Sequence, residues 1–268
     1  MKKQTILRWA GSKAKLIPDL LRLAPANFCQ YVEPFAGSAC LFFALKPKQA
    51  VLGDINAQVI DVYRAVHSDP HGVADALDSI PHTAEAYYQM RSINPSDLNL
   101  TQRAARIIFL MKACFNGVYR TNLRGEFNVP MGDRVYALPS RESLVETHQL
   151  LQCADLVVGD FRLTLDLCQA GDWVYMDPPY RTTSRYRGEY GHEGRFGDPE
   201  MQCLVDIARR LVSRGVRVTM SYLYDEDLVH ALEDWHLHEV PTARTVASRT
   251  RFRMNAPEII LTSYVHNV

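Results

Sequence analysis

The residues best suited to chemistry stand together at Asp177-Pro178-Pro179-Tyr180. An exocyclic aromatic amine is a weak nucleophile because its lone pair is delocalised into the ring. Two acceptors that take its N–H hydrogens turn that lone pair toward an electrophile. The Asp177 carboxylate and the Pro178 carbonyl form such a pair. Pro178 and Pro179 stiffen the loop by fixing φ, and Tyr180 gives a flat face on which a base can stack. The same tetrapeptide also suits a rigid turn without chemistry.

Three more acids have comparable surroundings, in Glu33-Pro34-Phe35-Ala36-Gly37, Gly53-Asp54 and Gly159-Asp160-Phe161, each after a short apolar run. If those runs are strands of one parallel sheet, all four carboxylates lie on the rim where open sheets bind ligands. An acidic rim beside a single glycine turn fits a ligand rich in hydroxyls and amines. Strand-end acids also serve as plain helix N-caps. Neither GxxxxGK[ST] nor GxGxxG occurs, which argues against nucleoside triphosphates and dinucleotides.

Strand candidates that would place these acids run over 29–32, 50–52, 155–158 and 173–176, with helical stretches at 13–23, 38–45 and 55–66 between them. Strand alternating with helix is the mark of a parallel sheet. From 67 to 115 the pattern is helical only; Ala104, Ile107, Ile108 and Met111 follow the i, i+3, i+4, i+7 rule. Residues 119–130 read as a hairpin about an Arg-Gly turn. A helix over 199–213, a strand over 216–221 and a last strand near 258–264 complete one sheet, interrupted by an insertion at about 57–150.

The chain has 268 residues, 47% hydrophobic and 22% charged, with 30 basic and 30 acidic side chains. These values fit a globular domain and exclude disorder, coiled coil and a uniformly basic coat. Six scattered cysteines form no CxxC pair, so no zinc or other metal site is expected and the thiols should be reduced. No signal peptide or membrane span is expected, and the protein reads as cytoplasmic. His236 and His238 alternate on a probable strand without a third ligand nearby, and Trp173 and Trp235 suit the core.

Leu7-Arg8-Trp9-Ala10-Gly11-Ser12-Lys13, Val32-Glu33-Pro34-Phe35-Ala36-Gly37-Ser38, Gly53-Asp54-Ile55-Asn56 and Asp177-Pro178-Pro179-Tyr180 together resemble the Dam-type (alpha-group, D12 class) DNA N6-adenine methyltransferases. The motifs come in that family's order, over residues 5 to 264. The resemblance implies an α/β fold: a Rossmann-like methyltransferase sheet that binds S-adenosylmethionine (AdoMet), with an inserted, mostly helical DNA-recognition domain and a β-hairpin. The catalytic domain would comprise 1–56 and 151–268, and the recognition domain 57–150. Asp177, Pro178, Pro179 and Tyr180 would be catalytic. Trp9, Ala10, Gly11 and Lys13 would line the cofactor's methionine end, with Lys13 meeting its carboxylate. Glu33, Phe35 and Gly37 would lie at the turn beneath it. Asp54, followed by Ile55, would accept from the ribose hydroxyls. Asp160 and Phe161 would meet the adenine, and Asp177 would lie near the cofactor too. The family often carries a second glycine near 38–39, where this chain has Ser38 and Ala39.

Charge is uneven along the sequence. Residues 101–126 hold Arg103, Arg106, Lys112, Arg120 and Arg124 against the single acid Glu126, and 242–257 hold Arg244, Arg249, Arg251 and Arg253 without an acid. A neutral chain can thus present a basic cleft to phosphates; the arginines could equally solvate a helix and a tail. By resemblance, 115–130 is the recognition hairpin. Arg120 would read a base, since arginine is the usual bidentate partner of guanine in the major groove. Phe115 would fill the gap left by a displaced base, and Asn116 and Asn122 would meet the backbone. Arg103, Val118, Arg124, Pro130 and Arg251 complete the expected DNA contacts. Residues 181–197, with glycines at 188, 191, 194 and 197, suit either a mobile lid or a surface loop.

The expected partner is therefore double-stranded DNA, with a leaning to GATC and with no membrane and no metal. The protein would act as a monomer or a homodimer. RNA and protein glutamine are alternative substrates for the same loop, and a DNA-binding relative without catalysis is a further alternative.

Overall fold

The structure is a computed structural model and describes residues 5–122, 124–134, 136–181, 196–240 and 257–265. The alternation in the sequence becomes β1 (Tyr31–Glu33) and β2 (Ala50–Asp54), with α1 (Ile17–Arg22) before them and α2 (Cys40–Leu45) between them. The helices α3 (Ala57–Ser68), α4 (Pro70–Asp78), α5 (Ala84–Ser92), α6 (Leu100–Ala113) and α7 (Arg141–Leu151) then separate β2 from β3 (Ala154–Val158). After β3 come α8 (Phe161–Leu165), β4 (Trp173–Met176), α9 (Asp198–Ser213), β5 (Arg217–Leu223), α10 (Glu226–Ala231), β6 (His236–Glu239) and β7 (Glu258–Thr262).

The sheet runs in the order β3-β2-β1-β4-β5-β7-β6. Its first five strands are parallel, and β7 lies antiparallel between β5 and β6. This is a mixed α/β architecture of the Rossmann-like methyltransferase kind. From β1 the chain builds outward through β2 and β3, then returns to place β4 on the opposite flank of β1, with Tyr31 paired to Trp173. That reversal of strand order opens the crevice where such sheets bind ligands.

Alternate strand residues face opposite layers. Tyr31, Ala50, Leu52, Trp173 and Tyr175 join one apolar core with residues of α2–α7. Val32, Val51, Val174, Met176, Val218 and Met220 join another with α8, α9 and α10. Within the first core, α3 lies on β2 and β3 and supports α6, which also packs on α4 and α5. The Asn99–Gln102 capping box starts α6, and every residue from Ala104 to Ala113 is buried.

Burial of α6 withdraws two of the five cations of 101–126 from the expected basic cleft. The guanidinium of Arg106, 2% exposed, donates to the carbonyls of Met90 (2.7 Å) and Arg91 (3.0 Å) at the end of α5. Lys112 is likewise buried and donates to the Thr5 carbonyl at 3.0 Å. Arg103 pairs with Asp61 at 3.1 Å and tethers α6 to α3. Such long cations satisfy helix-end carbonyls while their stems pack with the core. Of the five cations, Arg120 and Arg124 remain exposed.

α1 is shorter than the sequence suggests. It starts at Ile17, with Pro18 in its first turn, because 13–16 form a turn that directs Lys13 inward. The periodicity did not mark α7, α8 or α10. The histidines do fall on β6; His238 Nε2 lies 3.1 Å from Thr262 Oγ1, and no metal-holding cluster occurs among the described residues. Trp173 and Trp235 are core residues. No helix of the described residues is long and apolar enough to cross a membrane. Arg251, the rest of 242–256 and the stretch 182–195 lie outside the described residues.

Close approach at Gly53 sets the spacing between β2 and α8. A side chain there would collide with Thr164 Oγ1. Gly53→Ala is expected to destabilise the fold by about 1–3 kcal/mol through overpacking, seen as a lower thermal midpoint, because Thr164 is itself fully buried.

Candidate active site

The four strand-end acids line one cavity at the carboxyl ends of β1–β4, together with Trp9, Gly11, Lys13, Phe35, Gly37 and Ile55. Ala10, Phe161, Pro178, Pro179 and Tyr180 complete the expected set. The cavity is open to solvent, and the empty space out to its mouth is about 1140 Å³.

Backbone geometry shapes the turn after β1. Gly37 adopts φ +46°, and a Cβ on it would lie 2.8 Å from Trp9 Cδ1. Its N–H donates to Asp54 Oδ2 (2.9 Å), and its carbonyl accepts from Tyr63 (2.6 Å). Where the family often has a second glycine, Ala39 takes the left-handed conformation itself, with φ +48°. Asp54 also accepts from the Asn56 N–H at 2.8 Å, so its carboxylate holds both loops as well as facing the cavity. Burial pushes its pKa up to about 6, against the pull of those two N–H donors. Asp160 caps α8 through the Arg162 N–H (3.0 Å). Beside it, Phe35, Phe161 and Phe196 form an aromatic cluster with ring centroids 5.5–6.3 Å apart.

At the centre stands Lys13, 5% exposed, whose Nζ lies 3.1 Å from Asp177 Oδ1, 2.9 Å from Tyr180 Oη and 3.7 Å from Glu258 Oε1. Burial works against its charge, but Asp177, Tyr180 and Glu258 outweigh it and hold its pKa above the usual lysine value. Burial raises the Asp177 carboxyl, opposed by Lys13 and by Ser221, which donates to Oδ1 at 3.0 Å. Asp177 Oδ2 has no hydrogen-bond partner among the described residues. Tyr180 donates to Glu258 (3.2 Å), and its ring meets Tyr222 edge-on at 5.5 Å. The Tyr222 hydroxyl accepts from the Arg181 N–H, and Arg181 pairs with Asp198 and Asp225.

Glu33 sits deeper, 3% exposed, and accepts from Tyr31 Oη at 2.8 Å. Burial pushes its pKa up to about 8, aided by the negative charge of Asp177, so it is largely protonated at neutral pH. A carboxyl raised in this way favours the fold fully below its ordinary pKa near 4.5, and that contribution is lost as pH climbs through about 8. Glu33→Gln, which keeps an acceptor for Tyr31, should therefore gain over the native protein as pH rises, by about 5 °C or more in Tm at pH 9 relative to pH 5. Cys40, also on the cavity wall, is pushed up to about 11 by burial and is a neutral thiol rather than a nucleophile.

The hairpin adjoins this cavity through Tyr119, whose ring lies 5.1 Å from that of Trp9. A bridge between Thr121 and Phe127 and a tight turn at Gly125 (φ +79°) form it. Asn122 is committed to that turn: its Oδ1 accepts from the N–H groups of Arg124 and Glu126, and its Nδ2 donates to Glu126. Arg120 is exposed, with Nε donating to Asn128 Oδ1 at 2.8 Å. At the base, Phe115 is 51% exposed on a turn whose next residues, Asn116 and Gly117, are both left-handed. Val118 is half-buried and Pro130 exposed. Arg103 stands apart from the cavity, in its pair with Asp61.

Several site residues escaped the sequence analysis. Phe196 lies just before α9 and Glu200 in its first turn, and Ser221, Tyr222 and Glu258 come from β5 and β7. Only a polar residue in an apolar strand, as in Met220-Ser221-Tyr222, could have drawn attention to Ser221.

A sheet of this order, with an acid at the end of each of its first four strands and a diproline loop facing the cavity, is a methyltransferase frame. Residues 9–246 match the profile of the D12 class N6 adenine-specific DNA methyltransferases, and the chain belongs to that family. It is 32% identical to the type II methyltransferase M1.LlaDCHI of Lactococcus lactis subsp. cremoris, covering 96% of this chain and 94% of that one. It is 30% identical to M.MjaIII of Methanocaldococcus jannaschii, over 92% and 93% of the two chains. The DNA adenine methylase of Escherichia coli K12 is also 30% identical, over 97% and 95%.

Proposed function

We propose that the protein transfers a methyl group from AdoMet to N6 of an adenine rotated out of duplex DNA. The observation that carries this reading is the division of labour on Asp177: Oδ1 is engaged by Lys13 and Ser221, while Oδ2 has no hydrogen-bond partner among the described residues, on a side chain that lines the cavity. An amine inside the duplex cannot reach such a group, so the base must leave the stack at a cost of about a few kcal/mol.

The donor set fits AdoMet. Asp54 offers a carboxylate to ribose hydroxyls, and Asp160 and the Phe35–Phe161–Phe196 cluster suit an adenine; Lys13, the expected partner of the methionine carboxylate, has its donors engaged by Asp177, Tyr180 and the Gly11 carbonyl. AdoMet supplies an electrophilic methyl group on a sulfonium. Asp177 Oδ2 and the Pro178 carbonyl accept the two N6 hydrogens, Tyr180 stacks on the base, and the lone pair faces the methyl carbon. With AdoMet bound, the N–C bond would form as the C–S bond breaks, S-adenosylhomocysteine would leave as the neutral thioether, and the proton lost by N6 would pass by way of Asp177 Oδ2 to water. Most of the acceleration arises from alignment. No histidine is required as a general base.

On the DNA, Arg120 reads a base from the hairpin and Phe115 fills the gap left by the adenine. Arg120→Ala is expected to weaken binding to the cognate site by about 1–3 kcal/mol and relax selectivity at one base pair. Methylation of duplexes with single base substitutions, GATC first among the parent sites, measures this.

The decisive assay incubates purified protein with tritiated AdoMet and, separately, duplex DNA, structured RNA and protein. Label recovered as N6-methyladenine from duplex DNA is the expected result. Label in RNA or in a glutamine side chain, or no AdoMet binding by calorimetry, overturns the proposal.

A further inference from the structure

Ser221 is fully buried at the centre of β5, beside the end of β4, and has no place in the reaction described above. Its Oγ donates to Asp177 Oδ1 at 3.0 Å, and Tyr175 Oη lies 2.8 Å from the same Oγ. Tyr175 is fixed as well, 1% exposed in the middle of β4. The strands hold this chain rigidly, since Met176 and Met220, the preceding residues, are paired across the β4–β5 ladder.

A carboxylate on a loop can rotate about its Cβ–Cγ bond and exchange its two oxygens. Lys13 alone does not prevent this, because an ammonium is a point charge with little directional preference. A hydroxyl donor in a fixed strand does, because its hydrogen bond is directional. We propose that Ser221, backed by Tyr175, is a positioning residue that fixes the rotation of the Asp177 carboxylate and reserves Oδ2 for the substrate amine. Tyr175 donates to Ser221, which donates to Asp177, so both hydroxyl protons point toward the carboxylate and neither can be offered elsewhere. The proposal rests on the methyltransferase reading for its effect on rate, but not for its effect on the carboxylate itself.

Removing the Ser221 hydroxyl also removes a donor that favours the ionised carboxyl. The other groups facing Asp177 are Lys13 from the N-terminal segment, Tyr180 on the same loop, Glu258 on β7, Glu33 on β1, Cys40 on α2 and Tyr175 on β4. Lys13 opposes protonation of Asp177, and Glu258 favours it. None of these is altered by Ser221→Ala, so the carboxyl pKa should rise by about one pH unit, the worth of one hydrogen bond to a charged group.

Three measurements on the full chain test this. In the free protein, 13C NMR of labelled aspartate follows the Asp177 titration, with Asp177→Asn identifying the signal. Single-turnover methyl transfer to duplex DNA is followed against pH. Calorimetry gives AdoMet affinity. For Ser221→Ala we expect a titration raised by about one pH unit, a matching upward move of the acid limb, and a rate about 10–100-fold lower at neutral pH, with AdoMet affinity within about threefold. Tyr175→Phe should give the same pattern in weaker form, and Ser221→Thr should recover most of the loss. An unmoved titration in folded Ser221→Ala, or a rate and pH profile equal to the native protein, overturns the inference. If Ser221→Ala does not fold, Tyr175→Phe decides by the same criteria. Absence of DNA methylation by the native protein would sink the methyltransferase reading alone, since the titration in the free protein still reports on Ser221.

Discussion

Asp177→Asn should yield a folded protein that still binds AdoMet and transfers methyl groups about a thousandfold more slowly. Asparagine retains the shape of the side chain. Its carbonyl oxygen can replace Oδ1 and accept from Lys13 and Ser221, which stand at 3.1 and 3.0 Å in the native protein. The amide nitrogen then occupies the place of Oδ2 and turns two hydrogens toward an amine that also offers hydrogens. Donor faces donor, so the lone pair is no longer steered at the methyl carbon. Asp177→Ala should be at least as inactive and less stable, because among the described residues Lys13 keeps only Glu258 as an acidic partner. Single-turnover rates beside AdoMet calorimetry separate the two effects. A rate within tenfold of native in the asparagine variant would contradict the assigned role.

The second large effect is expected from Lys13→Met, which preserves bulk and removes the charge. Native Lys13 has a raised pKa, so its contribution to stability is complete below its ordinary value near 10.5 and disappears only as pH climbs through the higher folded value. At neutral pH the pair is fully formed. Without the cation, Asp177 and Glu258 face each other unneutralised. Asp177 and Glu258 are partly exposed and Asp177 keeps Ser221, so the cost falls below that of a fully buried unpaired charge, at about 2 kcal/mol, or a Tm lower by roughly 5 °C. Protonation of Asp177, whose carboxyl pKa is already raised by burial, relieves that cost, so the deficit should be smaller at pH 5 than at pH 8. The acid limb of activity should rise in pH for the same reason, and neutral-pH transfer should fall by at least about a hundredfold. Equal deficits in Tm at the two pH values would show that the charge pair is not the cause.

Legibility in the sequence followed the physics of each element. Glu33, Asp54, Asp160 and Asp177 were legible because a parallel strand ends abruptly and places its next residue on a known rim. Their convergence on one cavity follows from strand direction alone. Cations were harder to place. Arg106 and Lys112 look like phosphate-binding residues by type and density, but each is needed where a backbone carbonyl is buried. A charge count cannot separate these uses. Ser221, Tyr222 and Glu258 were hidden for another reason: β5 and the antiparallel β7 come together only through long-range pairing, which no local motif encodes. The helices α8 and α10, at five and six residues, are too short to show a period.

The partnership of β1 with β4 has a consequence for biogenesis. Tyr31 meets Trp173 only after some 140 intervening residues have been made, and Ala50 likewise waits for Ala154. Contacts so distant along the chain make closure entropy large and folding slow. While a ribosome is still translating the helical stretch, β1 and β2 are unable to close the sheet and leave apolar edges open to aggregation. Production is therefore best served by weak induction, which limits the number of half-made chains waiting together for their missing strands.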